Sequence, residues 1–120
     1  MRKIIISFFI FLILSACSIK NTITKVEIKY RNEILSTTNL KLCNNIYDKY
    51  LNDDFQKNTI IQYNPNVISI ILYSHNEIIA YFSIDKYDNV YFNNEEGSYA
   101  SNNFSYDYLL SIFNDIKFSN

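Results

Sequence analysis

The chain has 120 residues, which is enough for one domain. Its 11 basic and 12 acidic side chains give a net charge of −1, which excludes the strongly basic surface typical of nucleic-acid-binding proteins. Apolar residues at 48% against charged residues at 19% indicate a folded core and exclude an intrinsically disordered chain. The 20 Ile and 17 Asn residues fit A/T-rich codon usage, so their abundance carries no functional argument.

The N-terminal segment has the three parts of an export signal. Arg2 and Lys3 are positively charged, residues 4–14 are apolar apart from Ser7, and the small residues Ser15 and Ala16 follow. An apolar run of 11 residues covers about half of a bilayer core of about 30 Å when it is helical. The segment therefore predicts export and disfavours a transmembrane helix.

The run Leu14-Ser15-Ala16-Cys17 resembles the lipobox of bacterial lipoproteins. This resemblance implies cleavage between Ala16 and Cys17, attachment of diacylglycerol to the Cys17 thiol, and a location on the outer side of the cell membrane or at the outer membrane. Two acyl chains hold a protein on a bilayer stably, whereas one holds it marginally. Two alternatives stay open from the residues alone: an ordinary signal peptide cut near Ala16, and an uncleaved N-terminal anchor.

The predicted organisation has three parts: residues 1–16 as a lipoprotein signal peptide, residues 17–22 as the lipidated Cys17 and a short tether, and residues 23–120 as one α+β domain. The mature chain would keep 9 basic and 12 acidic side chains, a net charge of about −3. Five tether residues reach about 12 Å as a random coil, so the domain is expected close to the membrane. Cys43 has no partner for a disulfide, and we expect it to be buried on a helix.

Hydrophobic periodicity predicts the first elements of the domain. Residues 23–31 alternate apolar and charged side chains, which is typical of a strand with one solvent-exposed face. Thr38 or Asn39 can cap a helix over residues 39–55, in which apolar residues recur at three- and four-residue steps. Strands are then predicted at 59–63, 67–73, 78–84 and 90–93, with a two-residue hairpin turn at His75-Asn76.

The C-terminal part is predicted to hold one loop and one helix. Residues 94–103 are polar and include Gly97, the only glycine, which is typical of a loop. Asn103 or Ser105 can cap a second helix, with an apolar stripe at Tyr106, Leu109, Leu110, Phe113 and Ile116. The element order β-α-β-β-β-β-α predicts an α+β fold with an antiparallel sheet of about five strands and two helices.

The register of the predicted hairpin raises the question of what lies on the second face of the sheet. If Tyr73 pairs with Ile78, regular pairing continues with Ile71 opposite Ala80 and Ser69 opposite Phe82. The other face would then be apolar as well. Either each helix covers one face, or both helices cover the same face and the other contacts a partner. For the second case we predict a partner surface at Ile70, Leu72, Ile79, Tyr81 and Tyr91.

Motifs for catalysis or metal binding are weak in this chain. His75 is the only histidine, which excludes a site with two His ligands within one chain. A single glycine excludes a Gly-rich phosphate loop. The carboxylates at 53–54, 85, 88 and 95–96 do not follow the spacing of a calcium loop. We therefore predict no catalytic residue, no metal ion and no cofactor.

The function expected from these observations is non-catalytic binding or scaffolding by a lipid-anchored envelope protein. Its predicted partners are the membrane, through diacylglycerol on Cys17, and an envelope protein, with no nucleic acid. The alternatives are a small envelope enzyme inhibitor that presents the loop Asn93–Asn103, or an enzyme of unknown substrate. The 11 tyrosines suit either a sheet or an adaptable recognition surface.

Overall fold

A computed structural model describes residues 22–59 and 64–119. The lipobox and Cys17 lie outside these residues, and so do residues 60–63 of the strand predicted at 59–63. The described elements, in chain order, are β1 (Lys25–Tyr30), β2 (Glu33–Thr37), α1 (Leu40–Leu51), β3 (Gln56–Asn58), β4 (Val67–Ser74), β5 (Glu77–Asp85), β6 (Val90–Phe92), β7 (Ser98–Ala100) and α2 (Tyr106–Lys117).

The strands form one antiparallel sheet in the order β2-β1-β4-β5-β6-β7-β3. The α+β class, the antiparallel sheet and the two helices are therefore confirmed. The described sheet has seven strands, however, where about five were predicted. The additional strands are β2, which forms a hairpin with β1, and the short pair β3 and β7 at the far edge.

Side-chain caps begin both helices. Asn39 Oδ1 accepts the Leu42 N–H at 3.0 Å, and Ser105 Oγ accepts the Tyr108 N–H at 3.0 Å. Helix α1 ends at Leu51, four residues before the predicted end. Asn52 closes the last turn through its N–H to the Asp48 carbonyl at 3.0 Å, and the chain then leaves the helix.

Both helices pack on the same face of the sheet. Helix α1 contributes Cys43, Ile46 and Tyr47 to a single core cluster, and α2 contributes Leu109, Ile112 and Phe113. The sheet side of this cluster consists of fully buried aliphatic and aromatic side chains: Val26, Ile28, Ile68, Ile70, Leu72, Phe82, Ile84 and Val90. Burial of Cys43 is confirmed; it is fully enclosed, and desolvation raises the pKa of its thiol.

Aromatic rings fill the end of the core beyond α1. The Phe82 ring stacks on Tyr50 at 6.0 Å between centroids and meets Phe104 edge-on at 5.1 Å. Phe55 lies edge-on to Phe92 at 4.9 Å. Offset and edge-on contacts of this kind add to the free energy gained from burying the rings. Phe82 is thus the central side chain of the core.

The pairing of β4 with β5 differs from the predicted register, and the reason lies in the hairpin between these two strands. Its turn is at His75-Asn76 as predicted, with φ angles of 50° and 78°, and Tyr73 pairs with Ile78 as predicted. A bulge follows, because Leu72 pairs with Ala80 and leaves Ile79 as an extra residue. Beyond the bulge the pairing shifts by one residue, and every side chain of β4 changes face relative to the prediction.

The placement of Ile70 and Leu72 on a partner surface was therefore wrong. Both side chains are fully buried beneath the helices, because Ile70 lies opposite Phe82 and Leu72 opposite Ala80. Ile79, the extra residue of the bulge, is partly buried and packs against the core cluster. Tyr81 pairs with Ile71 on the other side of the sheet, and both belong to the face without helices.

The predicted loop 94–103 is more ordered than expected, because it contains β7. Ser98 is buried, and its hydroxyl donates to Asn58 Oδ1 in β3. The carboxylate of Asp53 accepts the Asn102 and Asn103 N–H groups at 3.0 Å each and the Ser101 hydroxyl. These bonds fix the chain that enters α2 to the end of α1, so only residues 93–97 form an exposed loop here.

Candidate functional site

The candidate site is the face of the sheet that lies opposite the two helices, called the open face below. Within residues 22–59 and 64–119, no helix packs against it. The side chains that the strand register assigns to its central part are Lys25, Glu27, Lys29, Ser69, Ile71, Tyr73, Tyr81, Ser83 and Tyr91. An antiparallel sheet with one covered face usually carries polar residues on the other, and this face mixes polar and aromatic ones.

The centre of the open face is formed by side chains from three neighbouring strands. Glu27 of β1, Ile71 of β4 and Tyr81 of β5 lie directly opposite one another in the register. Ile71 is only 3% exposed, yet it is not part of the core cluster beneath the helices. The open face therefore has an apolar centre of its own, with an acidic neighbour on one side and an aromatic neighbour on the other.

Cations and aromatic rings alternate around this centre. Lys25 Nζ lies 4.4 Å from the centroid of the Tyr73 ring, and Lys29 Nζ lies 6.0 Å from that of Tyr81. Lys25 also forms an ion pair with Glu27 at 3.7 Å. Cation–π contacts of this type orient the long lysine side chains along the rings. They leave aromatic surface and ammonium groups together on the same face.

Polar groups continue the open face towards β6. The hydroxyls of Ser69 and Ser83 lie 2.6 Å apart across the strand pair β4–β5. Tyr91 pairs with Ser83 in the next strand, and its hydroxyl donates to Asp85 Oδ2 at 3.0 Å. Tyr91 is therefore held in one orientation by a buried carboxylate, which lowers the entropy that its ring would lose on binding a partner.

Asp85 is fully buried and is the centre of the turn between β5 and β6. Its carboxylate accepts the N–H groups of Tyr87 at 2.9 Å and Asn89 at 3.0 Å, and the Asn89 side-chain amide at 3.1 Å. Burial alone raises the pKa of a carboxyl, but the hydrogen bonds from Asn89, Tyr91 and Tyr87 outweigh it and lower the pKa of Asp85 below its ordinary value of 3.8. Asp85 is therefore ionised and structural at neutral pH.

Two of the five residues predicted as a partner surface, Tyr81 and Tyr91, lie half-buried on the open face. Sequence reasoning missed Ile71 and Tyr73, which the regular register had assigned to the core, and it made no use of Lys25 and Lys29. One signal could have corrected the register. Pairing Ser69 with Ser83 places both serines on one face and leaves a wholly apolar set on the other.

No helix in the described part of the chain is long and apolar enough to cross a membrane. Residues 22–59 and 64–119 also bring no three His, Cys, Asp or Glu side chains together as a metal site would require. His75 lies exposed in the β4–β5 turn, where its N–H donates to Thr24 Oγ1 at 3.0 Å. Comparison of the chain with protein-family models, with curated proteins and with solved structures finds no match.

A groove of about 1150 Å³ lies between the start of α1 and the end of α2. Its lining is dominated by exposed Ser, Thr and Asn side chains, with Leu42 and Ile116 as its apolar members. Ligand pockets are usually lined by apolar and aromatic side chains, whereas the residues that line this groove include no aromatic one. The open face is the better candidate for recognition of a protein.

Proposed function

We propose that the chain is a lipid-anchored protein of the bacterial cell envelope that acts by non-catalytic binding of another envelope protein. The observation that carries the proposal is the open face, on which half-buried tyrosines and lysines surround the buried side chain of Ile71. Tyrosine is enriched at binding surfaces because it supplies a large contact area and one polar group at low entropic cost.

The anchor is proposed from the export signal and from the lipobox that ends at Cys17. The described residues begin at Thr22 and enter β1 at Lys25, so few residues separate the proposed lipid from the sheet. β1 carries Lys25, Glu27 and Lys29 of the open face. A short tether attached to this strand would hold the open face near the membrane, where it meets proteins that are themselves membrane-bound.

The anchor is tested by the Cys17→Ala variant in cells labelled with a fatty acid such as palmitate. The full chain should incorporate label and sediment with membranes, whereas Cys17→Ala should lose the label and leave the membrane fraction. Cys43→Ala is the matched control, because its thiol is buried and is expected to take no lipid. Equal labelling of the Cys17→Ala variant would contradict the anchor.

The binding surface is tested by co-isolation through a C-terminal tag after crosslinking in cells. Tyr81→Ala and Tyr91→Ala should reduce recovery of the partner, because both side chains lie on the open face. Glu95→Ala and Glu96→Ala change the exposed loop and should leave recovery unchanged. The opposite pattern would favour the alternative function, an enzyme inhibitor that presents residues 93–97 and therefore binds through the loop.

A further inference from the structure

A second pocket lies away from the open face, where three connecting segments meet beside the start of α2. Its volume is about 600 Å³, within the range of about 300–1,000 Å³ that small-molecule sites occupy. The lining residues come from the β1–β2 turn, the approach to β4, the β5–β6 turn and α2: Tyr30, Arg31, Asn32, Pro65, Asn66, Val67, Lys86 and Tyr106.

The lining of this pocket is strongly biased in charge. It includes Arg31 and Lys86 but no Asp or Glu, in a chain whose acidic side chains outnumber the basic ones. Asp88, the acidic residue of the neighbouring turn, accepts the Tyr106 N–H at 2.8 Å through its Oδ1. Asp107 also lies near enough to Tyr106 to affect its titration. The two cations that line the pocket therefore face it without an acidic partner among the lining residues.

A pair of tyrosines forms the inner wall. The Tyr106 hydroxyl donates to the Tyr30 hydroxyl at 3.3 Å, so the proton of Tyr30 is free for another acceptor. The Tyr30 ring is held edge-on by Phe113 at 5.4 Å and by Tyr106 at 6.3 Å between centroids. The hydrogen bond from Tyr106, with the charges of Arg31 and Lys86 and a hydrogen bond from Arg31, lowers the pKa of Tyr30 against the effect of burial. Burial and the pairing with Tyr30 raise the pKa of Tyr106 to about 12. The Arg31 guanidinium itself lies 5.1 Å from the centroid of the Tyr30 ring.

Arg31 has a backbone conformation that its side chain does not favour. It is the first residue of the two-residue turn between Tyr30 and Glu33, and its φ angle is 56°. Gly, Asn or Asp occupies this left-handed region more easily than a long side chain does. A two-residue hairpin turn requires a positive φ angle, as at His75 and Asn76 in the β4–β5 turn, so at Arg31 the turn imposes a local strain.

We propose that this pocket binds a small phosphate-bearing anion through Arg31, Lys86 and the Tyr30 hydroxyl. A guanidinium binds two oxygens of a phosphate at once, an ammonium contributes a second point charge, and a phenol donates one further hydrogen bond. Two cations on separate turns match a doubly charged phosphate monoester better than a singly charged carboxylate. The pocket volume leaves room for a small organic group beside the phosphate.

The position of the pocket indicates the source of this ligand. β1 runs from Lys25, near the proposed tether, to Tyr30 at the pocket, a distance of about 17 Å along the strand. The pocket therefore lies at the opposite end of β1 from the proposed tether. This assigns the ligand to soluble phosphate compounds rather than to headgroups of that membrane. The assignment of source rests on the proposed anchor, but the site itself does not.

The proposal is tested on the full chain, purified in a neutral detergent and titrated with inorganic phosphate at constant ionic strength. Amide resonances of Tyr30, Arg31 and Lys86 should shift in a saturable manner. Lys86→Gln should raise the Kd about tenfold, the effect of losing about 1.4 kcal/mol of binding free energy. Lys41→Gln, on the exposed side of α1, removes the same charge elsewhere and should leave the Kd unchanged.

Arg31→Asn separates ligand binding from folding. Asn suits the left-handed turn, so this variant should melt at the same or a higher temperature while it loses saturable binding. Shifts that stay linear in phosphate concentration, or that survive in Arg31→Asn, would overturn the proposal. Vesicles with phosphatidylglycerol distinguish the source, because Lys86-dependent binding to them, absent with phosphatidylcholine, would contradict a soluble ligand.

Discussion

Asp85 offers the sharpest test of how the β5–β6 turn is held. Its buried carboxylate accepts four hydrogen bonds, from the N–H groups of Tyr87 and Asn89, the Asn89 amide and the Tyr91 hydroxyl. Asp85→Asn keeps the shape and lets the remaining carbonyl oxygen accept the two backbone N–H groups. The new amide, however, replaces the Oδ2 atom that accepts from Asn89 and Tyr91, and it faces another donor at Asn89.

Loss of these two bonds should destabilise the domain by about 2 kcal/mol, since one hydrogen bond contributes about 1 kcal/mol net and more when the acceptor is charged. For a domain of about 100 residues this lowers the Tm by about 8 °C or more. Thermal and urea unfolding followed by circular dichroism measure the change. Asp115→Asn, at an exposed position of α2, is the control and should stay within about 0.5 kcal/mol of the unchanged chain.

The stability that Asp85 contributes should also depend on pH. The pKa of Asp85 is lower in the folded chain than its ordinary value of 3.8, so its contribution is complete above that value and is lost as the pH falls through the folded-state pKa. The stability gap between the unchanged chain and Asp85→Asn should therefore narrow below about pH 4. An equal Tm for both chains at neutral pH, or a gap that does not change with acidification, would refute this account.

Three further predictions follow from the fold. His75→Asn with Asn76→Gly suits a turn in which both φ angles are positive, and should stabilise the domain by about 0.5–1 kcal/mol in urea unfolding. Cys43 should resist a thiol reagent in the folded chain at neutral pH and react after unfolding, because the side chain is fully buried and its pKa is raised; rapid labelling of the native chain would contradict its burial. Phe82→Ala should cost about 3–5 kcal/mol, whereas Ile78→Ala at a 56% exposed position should cost less than about 1 kcal/mol, and similar losses for both would place the core elsewhere.

Hydrophobic periodicity predicted the two helices, because each of them buries only one side. The two helices and the caps at Asn39 and Ser105 lie where the spacing indicated, because a helix on a sheet exposes one face and buries the other. The stripes differ in detail: Leu40 and Leu51 of α1 are exposed, and in α2 Ile112 is buried whereas Leu110 and Ile116 are only partly buried. The turn at His75-Asn76 could be read for a similar reason, since these residues are the middle two of the four polar residues that separate two apolar runs.

The register of β4 could not be read in this way. Ile70, Ile71 and Leu72 are consecutive and apolar, so alternation does not say which of them faces the helices. The bulge at Ile79 then moves the pairing by one residue, and only the match of Ser69 with Ser83 across the two strands indicates it. This single shift is why Ile70 and Leu72 were placed on the wrong face while Tyr81 was placed correctly.

Edge strands and long-range polar contacts could not be predicted from local sequence patterns either. β2 is largely exposed, so it lacks the alternation of a half-buried strand, and β3 and β7 have three residues each. Asp53 follows the end of α1, and its hydrogen-bond partners Ser101, Asn102 and Asn103 lie 48 to 50 residues further along the chain. Contacts at such separations follow from the tertiary fold and not from neighbouring residues.

The central claim is that this protein binds an envelope partner through its open face. A photoreactive phenylalanine analogue in place of Tyr81 tests it in intact cells, with Tyr87 as the matched control because that tyrosine is 50% exposed in the β5–β6 turn. We expect a discrete crosslinked species in the membrane fraction from position 81, which is lost in the Cys17→Ala background, and none from position 87. Crosslinks of equal yield from both positions, or none from position 81, would contradict it.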